Sequence, residues 1–98
     1  ELETSVYLHL DGPHVQMDKA AKEIGMPPSK FIMLDLMESS PVKFMDIWTR
    51  FSKSGVYGDP QLATPEKGRV IFEAVVEAFL NLVKEFKNRP DGNRIDHH

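Results

Sequence analysis

One stretch constrains this chain more than any other. Thr64, Pro65 and Glu66 make a helix start: a hydroxyl cap, a proline at the first helical position, where its missing N–H costs nothing, and an acid at the positive end of the helix dipole. Beyond them Ile71, Phe72, Val75, Val76, Phe79, Leu82, Val83 and Phe86 recur at helical spacing, with Glu73, Glu77, Lys84 and Lys87 largely opposite. The pattern predicts an amphipathic helix over 65–87, stopped ahead of Pro90, with its apolar face buried. So wide a face needs comparable apolar surface against it. The chain has only 98 residues, and chains this short bury a smaller fraction of their surface than larger domains do. The stripe is therefore expected to pack on polypeptide outside this chain.

The remaining sequence is cut up by Gly12-Pro13, Pro27-Pro28, the 55–60 stretch and Pro90-Asp91-Gly92. In 2–10, Leu2, Val6 and Leu10 share a helical face, with Thr4 or Ser5 near the cap. Val6, Leu8 and Leu10 also alternate as a strand would, so period alone leaves both open. A short helical turn is expected over 17–24, with Asp18 and Glu23 outward and Gly25 as its stop. Residues 31–37 read as a buried strand or as a loop packed on a larger body. Residues 42–51 hold Phe44, Met45, Ile47, Trp48 and Phe51, an aromatic load that expects cover.

Composition narrows the function. A formal net charge of -3 without a basic stripe argues against a nucleic-acid partner. No apolar run approaches the ~18 residues of a membrane span. With no cysteine, disulfides, thiol nucleophiles and Cys-based zinc sites are excluded, and a reducing cytoplasm is the compatible location. The first residue is Glu1 rather than Met, which reads as a truncated, cleaved or separately encoded portion.

Few residues stand out for chemistry. His9 and His14 straddle a proline turn and read as surface and loop histidines rather than a metal pair. Glu1 and Glu3 would point the same way on a strand and diverge on a helix. They are candidate acid–base or cation-binding groups, or a solvated pair. The stretch 52–60, Ser-Lys-Ser-Gly-Val-Tyr-Gly-Asp-Pro, leads toward a helix start, where loops can cradle phosphate. It matches no nucleotide fingerprint, and a connector is the favoured reading. Trp48 is a stacking platform or a core or interface residue.

Two segments resemble a known family. Glu1-Leu2-Glu3-Thr4-Ser5 is similar to the tail of the His-Ala-Gly-Glu-x-Glu-Thr-Ser motif of creatininase-family amidohydrolases. Ser54-Gly55-Val56-Tyr57-Gly58-Asp59-Pro60, then Leu62-Ala63-Thr64 and Glu66-Lys67-Gly68, looks like the same family's closing signature. The resemblance covers nearly the whole chain and makes residues 1–98 the C-terminal portion of a creatininase-like domain. It implies an α/β fold, a sheet flanked by helices ending in the long amphipathic helix, assembled into homo-oligomers. It implies hydrolysis of a C–N bond in a cyclic amide or formamide, with two divalent cations (zinc, manganese or iron) that activate water and polarise the carbonyl. The family's metal ligands lie upstream of Glu1, so no metal ligand is assigned here, and the chain alone is expected to be inactive.

What carries over is Glu1 and Glu3, with Thr4 and Ser5. The resemblance makes Glu1 and Glu3 candidate catalytic residues, one of them at the edge of the metal centre or behind its ligands, orienting the histidine that precedes this stretch in the motif. The alternative is that the acids and hydroxyls only begin a helix. Trp48, Tyr57 and Asp59 are expected in a substrate or subunit-interface loop. Gly55 and Gly58 suit a strict turn there, and Asp59, ahead of Pro60, is held away from helical geometry so that its carboxylate can be aimed. The implied partners are a missing N-terminal portion or companion chain, a small-molecule amide, and further copies of the chain. The rival reading is a noncatalytic interaction or regulatory module that binds a partner through the long helix and the aromatic segment.

Overall fold

The computed structural model describes residues 1–33, 39–92 and 95–97. Two helices, α1 (Leu2–Asp11) and α2 (Pro65–Asn88), are joined by a long connection holding single 3-10 turns at Gly12–His14, Met17–Lys19, Trp48–Arg50 and Pro60–Leu62. In α2 the expected start is realised in detail. Thr64 has extended backbone and its Oγ1 accepts the Lys67 N–H at 3.2 Å, with Pro65 in the first turn. On the polar side, Arg69 and Glu73 pair one turn apart at 2.8 Å.

The ambiguity in α1 resolves as helix. Glu1 takes the N-cap position without a side-chain cap, while Thr4 and Ser5 fall inside the helix. Ser5 is 0% exposed because α1 crosses α2 there. A side chain at Gly68 would put its Cβ 1.8 Å from the Ser5 carbonyl oxygen and 3.0 Å from the His9 Cβ. Glycine is what lets the two backbones approach this closely. The Ser5 hydroxyl is also used, accepting the Thr64 N–H at 3.3 Å, and the His9 ring tilts against Phe72 with centroids 5.8 Å apart.

The expected α/β architecture is not present. Among the described residues there is no strand and no sheet, only one isolated antiparallel bridge between Glu23 and Gly58. At 31–33, where a strand was one reading, side chains take the bonds that a neighbouring strand would supply. The Phe31 and Ile32 amides both donate to Ser29 Oγ at 3.1 Å, and Met33 N donates to Ser40 Oγ at 2.6 Å. Local hydroxyls compete with ladder pairing in this way. Residues 34–37 of that segment lie outside the described residues. The turn expected over 17–24 shrinks to Met17–Lys19, with Asp18 exposed as expected, whereas Glu23 turns inward. Gly25 stops no helix. It lets the Phe51 carbonyl pass, 2.1 Å from where a Cβ would sit.

Among the described residues the buried ones are small: Ser5, Ser52, Pro60, Ala63 and Gly68. The face of α2 expected to be buried is open within this chain. Ile71 is half-buried, but Phe79, Val83 and Phe86 are 60–63% exposed. Trp48 and Met45 of the aromatic segment are also exposed. Among the described residues no other element has the surface to cover them. The radius of gyration, 19.1 Å, compares with about 13 Å for a compact domain of this length.

Glycine to alanine inside a helix ordinarily stabilises by about 1 kcal/mol. At Gly68 the clash with a backbone oxygen outweighs this. We expect Gly68→Ala to destabilise the full-length protein by about 1–3 kcal/mol, as overpacking does. Thermal denaturation with Gly12→Ala as control, where nothing lies within 4 Å of the added carbon, checks this. A Gly68→Ala melt at or above wild type would overturn the close crossing.

Candidate functional site

The first turn of α1 and the loop after the aromatic segment face each other across a cleft of ≈ 620 Å³. Glu1 and Glu3 line it on one side. Trp48, Phe51 and Tyr57 line it on the other, and Met26, Met33 and Phe44 complete an apolar wall. Pockets of this size, mostly apolar with a few convergent polar groups, suit small organic ligands.

The loop's shape follows from its residues. Gly55 and Gly58 have φ of 86° and 116°, where residues with a Cβ are strained. The Trp48 indole N–H donates to the Gly55 carbonyl at 2.9 Å, and the Trp48 and Tyr57 rings meet at 5.5 Å, tilted by 59°. Glu23 clamps the loop from outside. Its backbone exchanges two hydrogen bonds with Gly58, at 2.9 and 2.7 Å. Its Oε2 accepts from Ser52 Oγ at 2.5 Å and from the amides of Lys53 and Ser54 at 2.9 and 3.3 Å. The Ser52 bond is the main reason the Glu23 carboxyl is held below its ordinary value near 4.5; partial desolvation opposes it, and the Ser54 and Lys53 amides assist. Sequence reading missed this group, because nothing local marks Glu23 as the partner of a serine 29 positions away.

The Tyr57 hydroxyl is buried with no hydrogen-bond partner. Burial also raises its pKa above the ordinary 10.0, so the group remains a donor at neutral pH. Asp59 has non-helical backbone, as expected, but its carboxylate is directed elsewhere than the cleft. It accepts the Gln61 amide at 3.2 Å and pairs with Lys22 at 3.3 Å. His14 pairs with Asp11 at 2.7 Å while His9 lies against α2, so the two histidines do not converge.

Glu1 is paired with Lys67 at 2.7 Å. With the Ser5–Thr64 hydrogen bond and the Ser5–Gly68 contact, this pair brings together the two sequence stretches singled out at opposite ends of the chain.

The family model described as creatinine amidohydrolase matches residues 1–83. The chain belongs to the creatininase family. Two curated relatives, both named mycofactocin precursor peptide peptidase, come from Mycobacterium tuberculosis strains CDC 1551 / Oshkosh and ATCC 25618 / H37Rv. Each is 34% identical over 92 residues, covering 92% of this chain and 33% of the relative. The chain thus spans about a third of the length of the curated relatives it matches. No solved structure matches it significantly. Among the described residues no three His, Asp or Glu side chains converge in a way that would hold a metal ion. The described residues therefore do not fit a complete metal site. Among the described residues, too, no helix is long and apolar enough to cross a membrane.

A lowered carboxyl stabilises the fold at pH values above the unfolded-state pKa and loses that contribution as pH falls through the folded value. The Glu23 clamp should therefore loosen below about pH 4.5. Trp48, the single tryptophan, sits at the base of the loop. Its fluorescence should change in that acid range in wild type and show no such step in Glu23→Ala. The same acid midpoint in both proteins would assign the transition to other carboxylates.

Proposed function

We propose that this chain forms one wall of the active site of a metal-dependent amidohydrolase that cleaves a C–N bond in a cyclic amide or formamide. The peptidase name of the curated relatives adds a peptide bond as a third form of the same chemistry. The observation that carries the proposal is the convergence of Glu1, Glu3, Trp48 and Tyr57 on one cleft. In it the apolar wall excludes water and holds the substrate body. The Tyr57 hydroxyl, buried and unpartnered in the free cleft, turns to a substrate oxygen once the substrate seats, and Glu1 and Glu3 orient neighbouring polar groups or exchange a proton with the departing nitrogen. The divalent ions, of zinc, manganese or iron, would be held by residues outside this chain. A cytoplasmic, homo-oligomeric enzyme is part of the same proposal.

A noncatalytic interaction module accounts for the exposed face of α2 but not for carboxylates gathered at an apolar cleft. In the amidohydrolase reading that face has a use of its own: it seats the remainder of the enzyme, as an N-terminal portion or a companion chain.

Turnover by the full-length protein of creatinine, an N-formyl amine or a short peptide, lost on chelation and restored by zinc or manganese, is the expected result. No turnover of any of the three would remove the reading. Tyr57→Phe should lower turnover while changing stability by less than about 1 kcal/mol, since it removes a buried hydroxyl that the chain leaves unpaired. Unchanged kinetics would confine Tyr57 to packing.

The seating of α2 is tested separately. Within this chain the Phe79 ring is 61% exposed. In the full-length protein Phe79→Ala should nonetheless cost ~3–5 kcal/mol, as loss of a buried aromatic does. A thermal melt unmoved by the substitution would show that the face stays in water.

A further inference from the structure

We propose that Lys67 is the positioning residue for the Glu1 carboxylate at the mouth of the cleft, an inference that rests on Glu1 serving the site. Glu1 and Lys67 are 66 positions apart, yet Lys67 Nζ donates to Glu1 Oε1 at 2.7 Å. The same ammonium donates to the Leu62 carbonyl at 2.8 Å. Two of its three hydrogens are thus committed to fixed acceptors, which removes much of the freedom a lysine side chain usually keeps. The backbone beneath it is equally defined. The Lys67 N–H is the donor to the Thr64 cap, and the next residue is Gly68, whose missing side chain sets the crossing with α1. Every constraint on Lys67 therefore refers to the element that carries Glu1 or to the turn beside the cleft.

Stability is a poor explanation for the pair. The side chains are 49% and 41% exposed, and exposed ion pairs are screened and contribute little to folding. What the contact provides is placement. It ties Oε1 of a residue that lines the cleft to the closing signature. Lys67 does not itself line the cleft, so its action on the reaction passes through Glu1.

The test is a double-mutant cycle in the full-length protein, assayed on whichever amide of the three-substrate panel it hydrolyses fastest. Glu1→Gln, Lys67→Met, the double variant and Lys67→Arg are compared for kcat, KM and melting temperature. Each of the first two should lower kcat by about 10- to 100-fold, the usual cost of losing a residue that orients a catalytic group. KM and melting temperature should stay close to wild type. The double variant should be no slower than the slower single, because both remove one coupled unit. Lys67→Arg, which keeps the charge, should recover part of the rate. Wild-type kcat in Lys67→Met beside a slow Glu1→Gln overturns the positioning role and leaves the site reading intact. Additive losses overturn it too, since Lys67 would then act independently of Glu1. A normal rate in Glu1→Gln, or no turnover of any panel amide, overturns the site reading and the inference with it.

Discussion

The crossing of α1 and α2 at Ser5 and Gly68 is the constraint on which the rest depends. α1 has ten residues, below the ~12–15 at which isolated helices become marginally stable in water. α2 has 24 and can hold helical structure on its own account. α1 is therefore helical because it docks, and it docks because one position of α2 has no side chain. The same contact satisfies the Thr64 amide through the Ser5 hydroxyl and carries the acids at the start of α1 to the cleft. A single small-residue contact thus sets secondary structure, a helix cap and the position of the candidate site together.

The opposite wall is built by a different kind of force. Among the described residues no large apolar side chain is buried behind it. It is held by directed bonds: the Glu23 carboxylate to three donors, the Glu23–Gly58 backbone pair, and the Trp48 indole to Gly55. Polar networks fix geometry well but offset little of the conformational entropy lost on ordering a loop. The chain thus has a defined cleft and, among the described residues, a poor core.

What the sequence made legible follows the range of each interaction. The cap, start and extent of α2 were readable because Thr64, Pro65 and the apolar spacing are local signals. The two positive-φ turns at Gly55 and Gly58 were readable for the same reason. The identity of α1 was not, since its spacing fits two periods and the deciding contact, Gly68, lies in another segment. The sheet was expected from family resemblance rather than from pattern, and in this chain Ser29 and Ser40 occupy the amides a strand would have paired. Among site residues, Glu1, Glu3, Trp48 and Tyr57 do meet at the cleft. Asp59 is engaged by Gln61 and Lys22 instead, and Glu23 escaped notice because its partners lie about thirty positions away.

The open stripe on α2 also has a history in time. Emerging from the ribosome, α2 follows the other elements of this chain and is long enough to coil with its apolar face uncovered. It then presents Phe72, Phe79 and Phe86 along one side, together with Val75, Val76 and Val83, as a sticky amphipathic rod. Transiently exposed surface of that kind is what makes folding intermediates self-associate and what chaperones hold. Glu73, Glu77, Lys84 and Lys87, opposite, give the rod a charged side that water solvates. The charged face of this helix thus belongs to the biogenesis of the protein as much as to its finished surface.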